Sequence, residues 1–242
     1  MELLDGRDNY EVDRAAGDAA VAVYPDITRM ASEARRFLIR AVRFLAEDAG
    51  LRQFLDVGTG LPTMQNTHEV AQSVAPDSKV VYVDHDPLVI AMAETLLTSV
   101  SGEGEAGYVE ADFNRPEAVL EAARARLDFH EPVGVMFMGS LGHAPSDGDM
   151  LRIVRTVMDA VPSGSHLALY DGTTDDVGYV TLCEEYAKTG GLPYHPRPQG
   201  VLRQASEGLE MVEPGFVPIT QWRPDGGTPE PIGAYCAVAR KP

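Results

Sequence analysis

Three acidic residues stand at or just beyond the ends of three short apolar segments, where they can hold a ligand with several hydroxyl and amino groups. Asp56 precedes a turn with two glycines, Asp84 closes the next segment, and Asp112 follows the third. Glycine lets a backbone approach a ligand closely, and one carboxylate accepts two hydroxyl hydrogens, as a ribose requires. This spacing predicts a nucleotide-like ligand beside the glycine turn.

The first of these carboxylates indicates which nucleotide fits. Asp56 would repel a pyrophosphate, whereas it suits the ammonium and sulfonium groups of S-adenosylmethionine. The turn also lacks the third glycine of a dinucleotide site, because position 63 is Thr63. We therefore expect S-adenosylmethionine rather than NAD, with Asp84 on the ribose, Asp112 on the adenine amino group and Phe113 against the ring. Each carboxylate alone would also suit a capped strand end. The candidate cofactor residues are Asp56, Gly58, Thr59, Gly60, Asp84, His85, Asp112, Phe113 and Gly139.

A second group of residues can act on a substrate. His143 follows the fourth apolar segment and can remove a proton from an acceptor, since the unperturbed pKa of histidine lies near neutrality. A loop histidine without a function is the alternative. Acidic residues after the fifth segment can hold a substrate ammonium, although Asp175 and Asp176 also suit the N-terminus of a helix. The catalytic candidates are His143, Asp171 and Tyr170, and the substrate-binding candidates are Tyr10, Asp175 and Asp176.

These residues lie in an alternation of short apolar runs and amphipathic segments, which is typical of an α/β domain with a parallel sheet covered on both faces. Helices are predicted over 10–24, from Pro25-Asp26 to Gly50, and later near Val70, Pro87, Pro116, Ser146 and Asp175. The predicted strands are 54–57, 79–84, 106–111, 133–139, 165–171, 216–222 and 232–239. The last two should pair antiparallel, which gives a mostly parallel seven-stranded sheet with a C-terminal hairpin.

Composition narrows the class of protein further. A chain of 242 residues suits one domain over 1–242, with a helical region at 1–50 and a core at 51–242. A net charge of −17 disfavours nucleic acid as a partner. It favours solubility first and, to a lesser degree, amine substrates. Cys183 and Cys236 form neither a metal-ligand pair nor a disulfide framework. No stretch is long and apolar enough for a membrane span, so we expect a cytoplasmic protein.

Several segments together resemble the actinobacterial S-adenosylmethionine-dependent methyltransferases that were once classed as a domain of unknown function. The matching segments are 4–10, 54–63, 66–72, 80–84 with Asp86-Pro87, 212–215 and 222–225. The resemblance implies a class I, Rossmann-like fold and S-adenosylmethionine as the cofactor. It also implies that Gly58, Gly60, Asp84 and Asp112 bind this cofactor, and that a helical N-terminal lid closes over it through Arg7 and Asn9.

The chain departs from that family after the fourth and fifth strands, where open α/β proteins bind substrates. It has Leu141-Gly-His-Ala-Pro-Ser-Asp147 in place of Leu-His-Phe and a Pro-Asp pair, and Tyr170-Asp171-Gly172 in place of Ser-His. We expect methyl transfer to a small-molecule amine or hydroxyl in specialised metabolism, without a metal. The alternatives are a different reaction, such as amine cyclisation or elimination, and an inactive cofactor-binding partner subunit. Each of these three functions is compatible with a monomer or a homodimer.

Overall fold

The computed structural model describes residues 11–60, 65–87, 89–91, 102–227 and 229–242. This part of the chain forms a sheet of eight strands in the order β3-β2-β1-β4-β5-β8-β6, with β7 also paired to β8. The first five strands are parallel, and each lies within one residue of its prediction at either end. The strands are β1 Gln53–Val57, β2 Lys79–Asp84, β3 Glu105–Glu110, β4 Gly134–Met138, β5 His166–Gly172, β6 Glu210–Met211, β7 Val217–Pro218 and β8 Ala234–Arg240.

Helices cover both faces of this sheet. Asp176 and Ser146 begin two of them, because each side chain accepts a backbone N–H of the first turn. A helical stretch that starts at Pro87 is described for 87 and 89–91. The helices are α1 Glu11–Val23, α2 Ile27–Glu47, α3 Thr67–Val74, α4 Pro116–Arg124, α5 Asp147–Ala160, α6 Val177–Lys188 and α7 Gln199–Gln204. None of the helices described is both long and apolar enough to cross a bilayer.

The C-terminal hairpin differs from its prediction. Only Val217–Pro218 of the expected strand 216–222 pairs with β8, and Ile219–Gln221 forms a 3-10 turn. Pro218 has no N–H for a longer ladder, and the turn directs Ile219 and Trp222 into the core. With the separate β6, the described sheet therefore has eight strands rather than seven. β8 pairs antiparallel with β5 along seven residues.

The core has two layers, one on each face of the sheet. One face packs against α4, α5 and α7, and the other against α2, α3 and α6. Phe37 of α2 meets Trp222 edge to face at 5.6 Å between ring centroids. Arg40 of the same helix donates to the carbonyls of Trp222 and Ile219 at 2.8 and 2.6 Å. The predicted N-terminal helix α2 is therefore joined to the C-terminal segment.

Candidate functional site

The three carboxylates of the predicted site lie on, or just beyond, adjacent strands of the sheet. Asp56 of β1 pairs in register with Tyr82, two residues before Asp84 at the end of β2. Asp112 comes two residues after β3, and the preceding Ala111 donates its N–H to the carbonyl of Asp84 at 2.9 Å. The structure thus brings these carboxylates to the carboxyl edge, with Asp56 set deeper than Asp84.

The glycine turn is shaped by positive backbone angles and close packing. Gly58 and Gly60 have φ of +74° and +61°, a region that side chains other than glycine rarely adopt. A Cβ on Gly58 would lie 2.5 Å from the Cβ of Ser140, whose hydroxyl donates to the carbonyl of Val57 at 2.8 Å. The turn therefore needs glycine at 58 for both conformation and space, and Ser140 joins it to the end of β4.

Asp84 is held in one orientation by backbone amides. Its Oδ2 accepts the N–H of Gly60 at 2.8 Å, and its Oδ1 accepts those of His85 and Asp86 at 2.8 and 3.0 Å. The carboxylate is buried, while about half of the His85 side chain is exposed. Asp84 consequently links the glycine turn to the end of β2.

At the end of the third strand, Asp112 and Phe113 both contact other parts of the protein. Asp112 is partly buried, and its Oδ1 accepts both the backbone N–H and the side-chain amide of Asn114, at 2.9 and 3.1 Å. Phe113 is 5% exposed and packs in the core layer of α4 and α5. This burial leaves little of the ring for stacking on adenine, so the expected contact of Phe113 stays a prediction that its placement does not favour.

Asp56 has one satisfied and one unsatisfied carboxylate oxygen. Its Oδ2 accepts the hydroxyl of Thr67 at 2.6 Å. Its Oδ1 is buried and has no hydrogen-bond partner. Burial raises the pKa of this carboxyl to about 6, against the lowering effects of the Thr67 hydrogen bond and of the Arg35 charge. A buried oxygen of this kind is suited to receive a donor from a ligand.

A cavity of about 170 Å³ lies between α2 and this edge of the sheet, and Asp56 is part of its lining. Arg35 is on the α2 side, and the rings of Tyr82 and Tyr108 stack at 4.8 Å on the sheet side. Tyr170 also lines it, and burial raises the pKa of this phenol. A Cβ on Gly139 would lie 2.7 Å from the Tyr170 hydroxyl, so the glycine makes room for it. The predicted Tyr170 thus lines the cavity, and the predicted Gly139 packs against the Tyr170 ring.

A larger hollow of about 920 Å³ lies at the opposite edge of the sheet. Gln53, Lys79 and His166, which begin β1, β2 and β5, are among its lining residues. Open α/β sheets bind ligands outside the carboxyl ends of their strands, not at the amino ends. Size alone therefore does not identify this hollow as the functional site.

His143 ends a 3-10 turn, Leu141–His143, that follows β4. Its Nδ1 is 2.9 Å from the carbonyl oxygen of Pro193, and its ring meets that of Tyr194 edge to face at 5.0 Å. Burial lowers the pKa of His143, and the charge of Asp84 acts against this effect. His143 is not part of the lining of the Asp56 cavity and lies on the side of Asp84.

The acidic residues expected near a substrate are engaged with the protein. Asp171 is buried, and its oxygens accept the N–H groups of Gly142 and Gly172 at 2.9 and 3.0 Å. Burial raises the pKa of Asp171 to about 7. Asp175 accepts the hydroxyl of Thr173 at 2.8 Å, and Asp176 is the N-cap of α6. None of the three lines the Asp56 cavity, so the structure gives their predicted roles no support.

Asp176 has a further bond that ties the N-terminal helices to the core, because its Oδ2 accepts the hydroxyl of Tyr24. Burial raises the pKa of Tyr24 above its ordinary value. The predicted cofactor and substrate residues Arg7, Asn9 and Tyr10 lie outside the described residues.

Sequence inspection missed several residues that shape the site. Thr67 bonds Asp56 from the start of α3, and Arg35 faces it from α2. Arg197, only 5% exposed, donates to the carbonyls of Leu141 and Ala144 beside His143. The Asn66–Gln72 segment contained a signal for Thr67, because it begins helix α3, which comes after the glycine turn in the chain. No local pattern marks Arg197, whose partners lie more than fifty positions earlier in the chain.

Comparison with known proteins gives one family. Residues 2–242 match the profile of a family described as S-adenosyl methyltransferase. A DUF574 family protein of Streptomyces avermitilis is 41% identical, with a TM-score of 0.90 over 99% of this chain and 94% of its own. A candidate methyltransferase of Thermobifida fusca is 37% identical, with a TM-score of 0.89 over 99% and 91%.

More distant structures share the fold alone. An S-adenosylmethionine-dependent methyltransferase of Anabaena variabilis is 16% identical, with a TM-score of 0.56 over 82% of this chain and 80% of its own. Among curated proteins, none matches this sequence.

Proposed function

Because the chain belongs to the S-adenosyl methyltransferase family, we propose that it transfers the methyl group of S-adenosylmethionine to an amine or hydroxyl of a small molecule in specialised metabolism. The net charge of −17 supports an acceptor that is cationic or neutral rather than anionic. The departures from the family after β4 and β5 concern the acceptor side, whereas the glycine turn and Asp84 are retained.

The observation that carries this proposal is the unpartnered oxygen of Asp56. A buried carboxylate oxygen without a hydrogen bond is costly, and the ammonium of the cofactor's methionine end would supply the missing donor. The cavity of about 170 Å³ is smaller than the roughly 300–1,000 Å³ of pockets that enclose whole drug-sized ligands. It therefore suits the amino-acid end of the cofactor, with the adenosyl part along the open edge at Asp84 and Asp112.

Other residues would bind the remaining groups of the cofactor. Arg35, across the cavity from Asp56, would pair with the carboxylate of the methionine end. Asp84 would accept from the ribose and Asp112 from the adenine amino group. When bound, S-adenosylmethionine supplies an electrophilic methyl group on a sulfonium. The protein aligns the acceptor with it and excludes water, and His143 accepts the acceptor's proton on Nε2.

Calorimetry with S-adenosylhomocysteine tests the cofactor site directly. The wild-type protein should bind it, and Asp56→Asn should weaken binding by about 10- to 100-fold, the value of a charge-assisted hydrogen bond. Asp159→Asn, a change of the same type at an exposed position of α5, should have no effect. No binding by the wild type would contradict the proposed site.

A second assay addresses the reaction. The protein is incubated with S-adenosylmethionine and a panel of small amines and alcohols, and formation of S-adenosylhomocysteine is followed by mass spectrometry. Methyl transfer predicts an acceptor that gains 14 mass units while S-adenosylhomocysteine forms in equal amount. Consumption of an acceptor without S-adenosylhomocysteine would instead favour cyclisation or elimination. The structure offers no specific support for that alternative, because Asp171 and Asp176 already bond to the protein.

A further inference from the structure

The turn Leu141–Ala144, between β4 and α5, is held by bonds from two distant parts of the chain. The N–H of Gly142 donates to Asp171 Oδ2 at 2.9 Å, and its carbonyl accepts the N–H of His195 at 2.7 Å. The ring of Tyr194 covers this glycine so closely that a Cβ there would lie 2.3 Å from it. The turn consequently has little freedom to change its conformation.

Arg197 clamps both ends of this turn. Its Nη1 donates to the carbonyl of Leu141 at 3.0 Å and its Nη2 to that of Ala144 at 2.6 Å, while Nε donates to Asp147 at 3.0 Å. The Arg197 side chain is almost fully buried, but Asp147 is more than half exposed. Burying a guanidinium is costly, and an apolar side chain of similar volume often stabilises a fold equally well. The four bonds that Arg197 donates, one of them to His195, therefore point to control of geometry.

Pro193, four residues before Arg197, determines which ring nitrogen of His143 carries the proton. A carbonyl oxygen can only accept, so the 2.9 Å contact with Pro193 requires the proton on Nδ1 and leaves a lone pair on Nε2 of the neutral ring. Tyr194 supports the ring from its edge. Three titratable groups have charges that act on His143. Asp84 and His85 lie at the end of β2, and His195 lies between Pro193 and Arg197 in the chain.

We propose that Arg197 is a positioning residue for methyl transfer, because its clamp on Leu141–Ala144 holds His143 in the tautomer whose Nε2 is free to accept a proton. This inference rests on the proposed role of His143. The acceptor's lone pair forms the bond to the methyl carbon, the carbon–sulfur bond breaks with its electrons left on sulfur, and the acceptor's proton passes to Nε2. Arg197 touches none of these atoms and acts through the turn.

Nitrogen-15 NMR of the histidine side chains tests the inference in the full-length protein. The chain has six histidines, and His143→Gln identifies the signals of His143. In the wild type we expect protonated Nδ1 and bare Nε2. In Arg197→Met the two tautomers should mix, because the loosened turn no longer keeps Nδ1 of His143 against the carbonyl oxygen of Pro193. S-adenosylhomocysteine affinity, set by Asp56 and Asp84, should change by less than about twofold.

Two other variants complete the design. Arg203→Met removes an exposed arginine from α7 and should leave the His143 signals unchanged. Arg197→Lys keeps the charge but loses the fork that reaches two carbonyls, so it should show the same change as Arg197→Met in smaller degree. It replaces Arg197→Met if that variant does not fold. A His143 ring that keeps the wild-type tautomer in a folded Arg197 variant would overturn the inference. Failure of the wild type to bind S-adenosylhomocysteine would instead overturn the proposed cofactor site.

Discussion

Replacing Asp56 with asparagine is expected to stabilise the ligand-free protein at pH 8. Burial raises the pKa of this carboxyl from 3.8 to about 6 in the folded state. One pKa unit corresponds to about 1.4 kcal/mol, so the ionised carboxylate destabilises the free fold by up to about 3 kcal/mol. Asparagine has nearly the same shape and can still accept the Thr67 hydroxyl, but it carries no charge. The residue that we propose to bind the ammonium of the cofactor therefore lowers the stability of the ligand-free protein.

The raised pKa of Asp56 also determines how the free energy of unfolding changes with pH. Between pH 4 and 6 the folded protein retains a proton on Asp56 that the unfolded chain has released, so wild-type stability falls as pH rises through this window. The advantage of Asp56→Asn should be absent near pH 4, grow between pH 4 and 6, and reach its full value above pH 6. Urea unfolding of both proteins at pH 4, 5, 6 and 8 measures it.

Thr67→Val is a matched control for the same site. It removes the hydrogen bond that lowers the pKa of Asp56, so it should destabilise the wild type at pH 8. In the Asp56→Asn background its effect should be smaller, because a bond to a neutral amide is weaker than one to a carboxylate. An Asp56→Asn variant that is no more stable than wild type at pH 8, or equally favoured at pH 4, would refute the argument.

Gly58→Ala should destabilise the fold by more than the roughly 1–2 kcal/mol of left-handed strain, because its Cβ also meets Ser140 at 2.5 Å; an unchanged urea midpoint would contradict this. The affinity of the wild type for S-adenosylhomocysteine should fall by about tenfold per pH unit below the Asp56 pKa of about 6, since binding of the ammonium favours the ionised form. Calorimetry between pH 5 and 8 measures this, and a flat profile would be inconsistent with it. Arg35→Met should weaken the same binding by about tenfold, whereas Arg36→Met, on the exposed side of α2, should not; equal effects would remove Arg35 from the proposed site.

The sequence was sufficient for the elements that local patterns determine. The apolar runs of β1, β2, β4 and β5 predicted those strands to within one residue, because a strand buried on both faces is nearly continuous in apolar residues. The partly exposed β3 lies at the edge of the sheet, and it also ends within one residue of its prediction. The segment 216–222 was misassigned because its apolar content resembles a strand. The two buried residues Ile219 and Trp222 are three positions apart, however, which is the spacing of a 3-10 turn.

The candidate site was predictable only in part. The glycine turn and the three strand-end carboxylates follow from residue type and position. The hydrogen bond between Asp171 and the protein could not be predicted in this way, because its partner Gly142 is 29 positions earlier in the chain. A carboxylate at a strand end is equally suited to a ligand. Arg197 gave no signal for the same reason: its role depends on carbonyl groups, which every residue carries, and on tertiary contacts that bring them together.

The antiparallel strand β8 has a consequence for how the protein is made. It fills the place beside β5, and Arg40 of α2 finds its carbonyl partners 179 and 182 positions later in the chain. During synthesis the edge of β5 must therefore stay unpaired until β8 has been made, and Arg40 must stay without these carbonyl partners until residues 219–222 have been made. Such distant pairings slow folding and expose the intermediate to association with other chains. Deletion of β8, Ala234–Arg240, should thus abolish the native state.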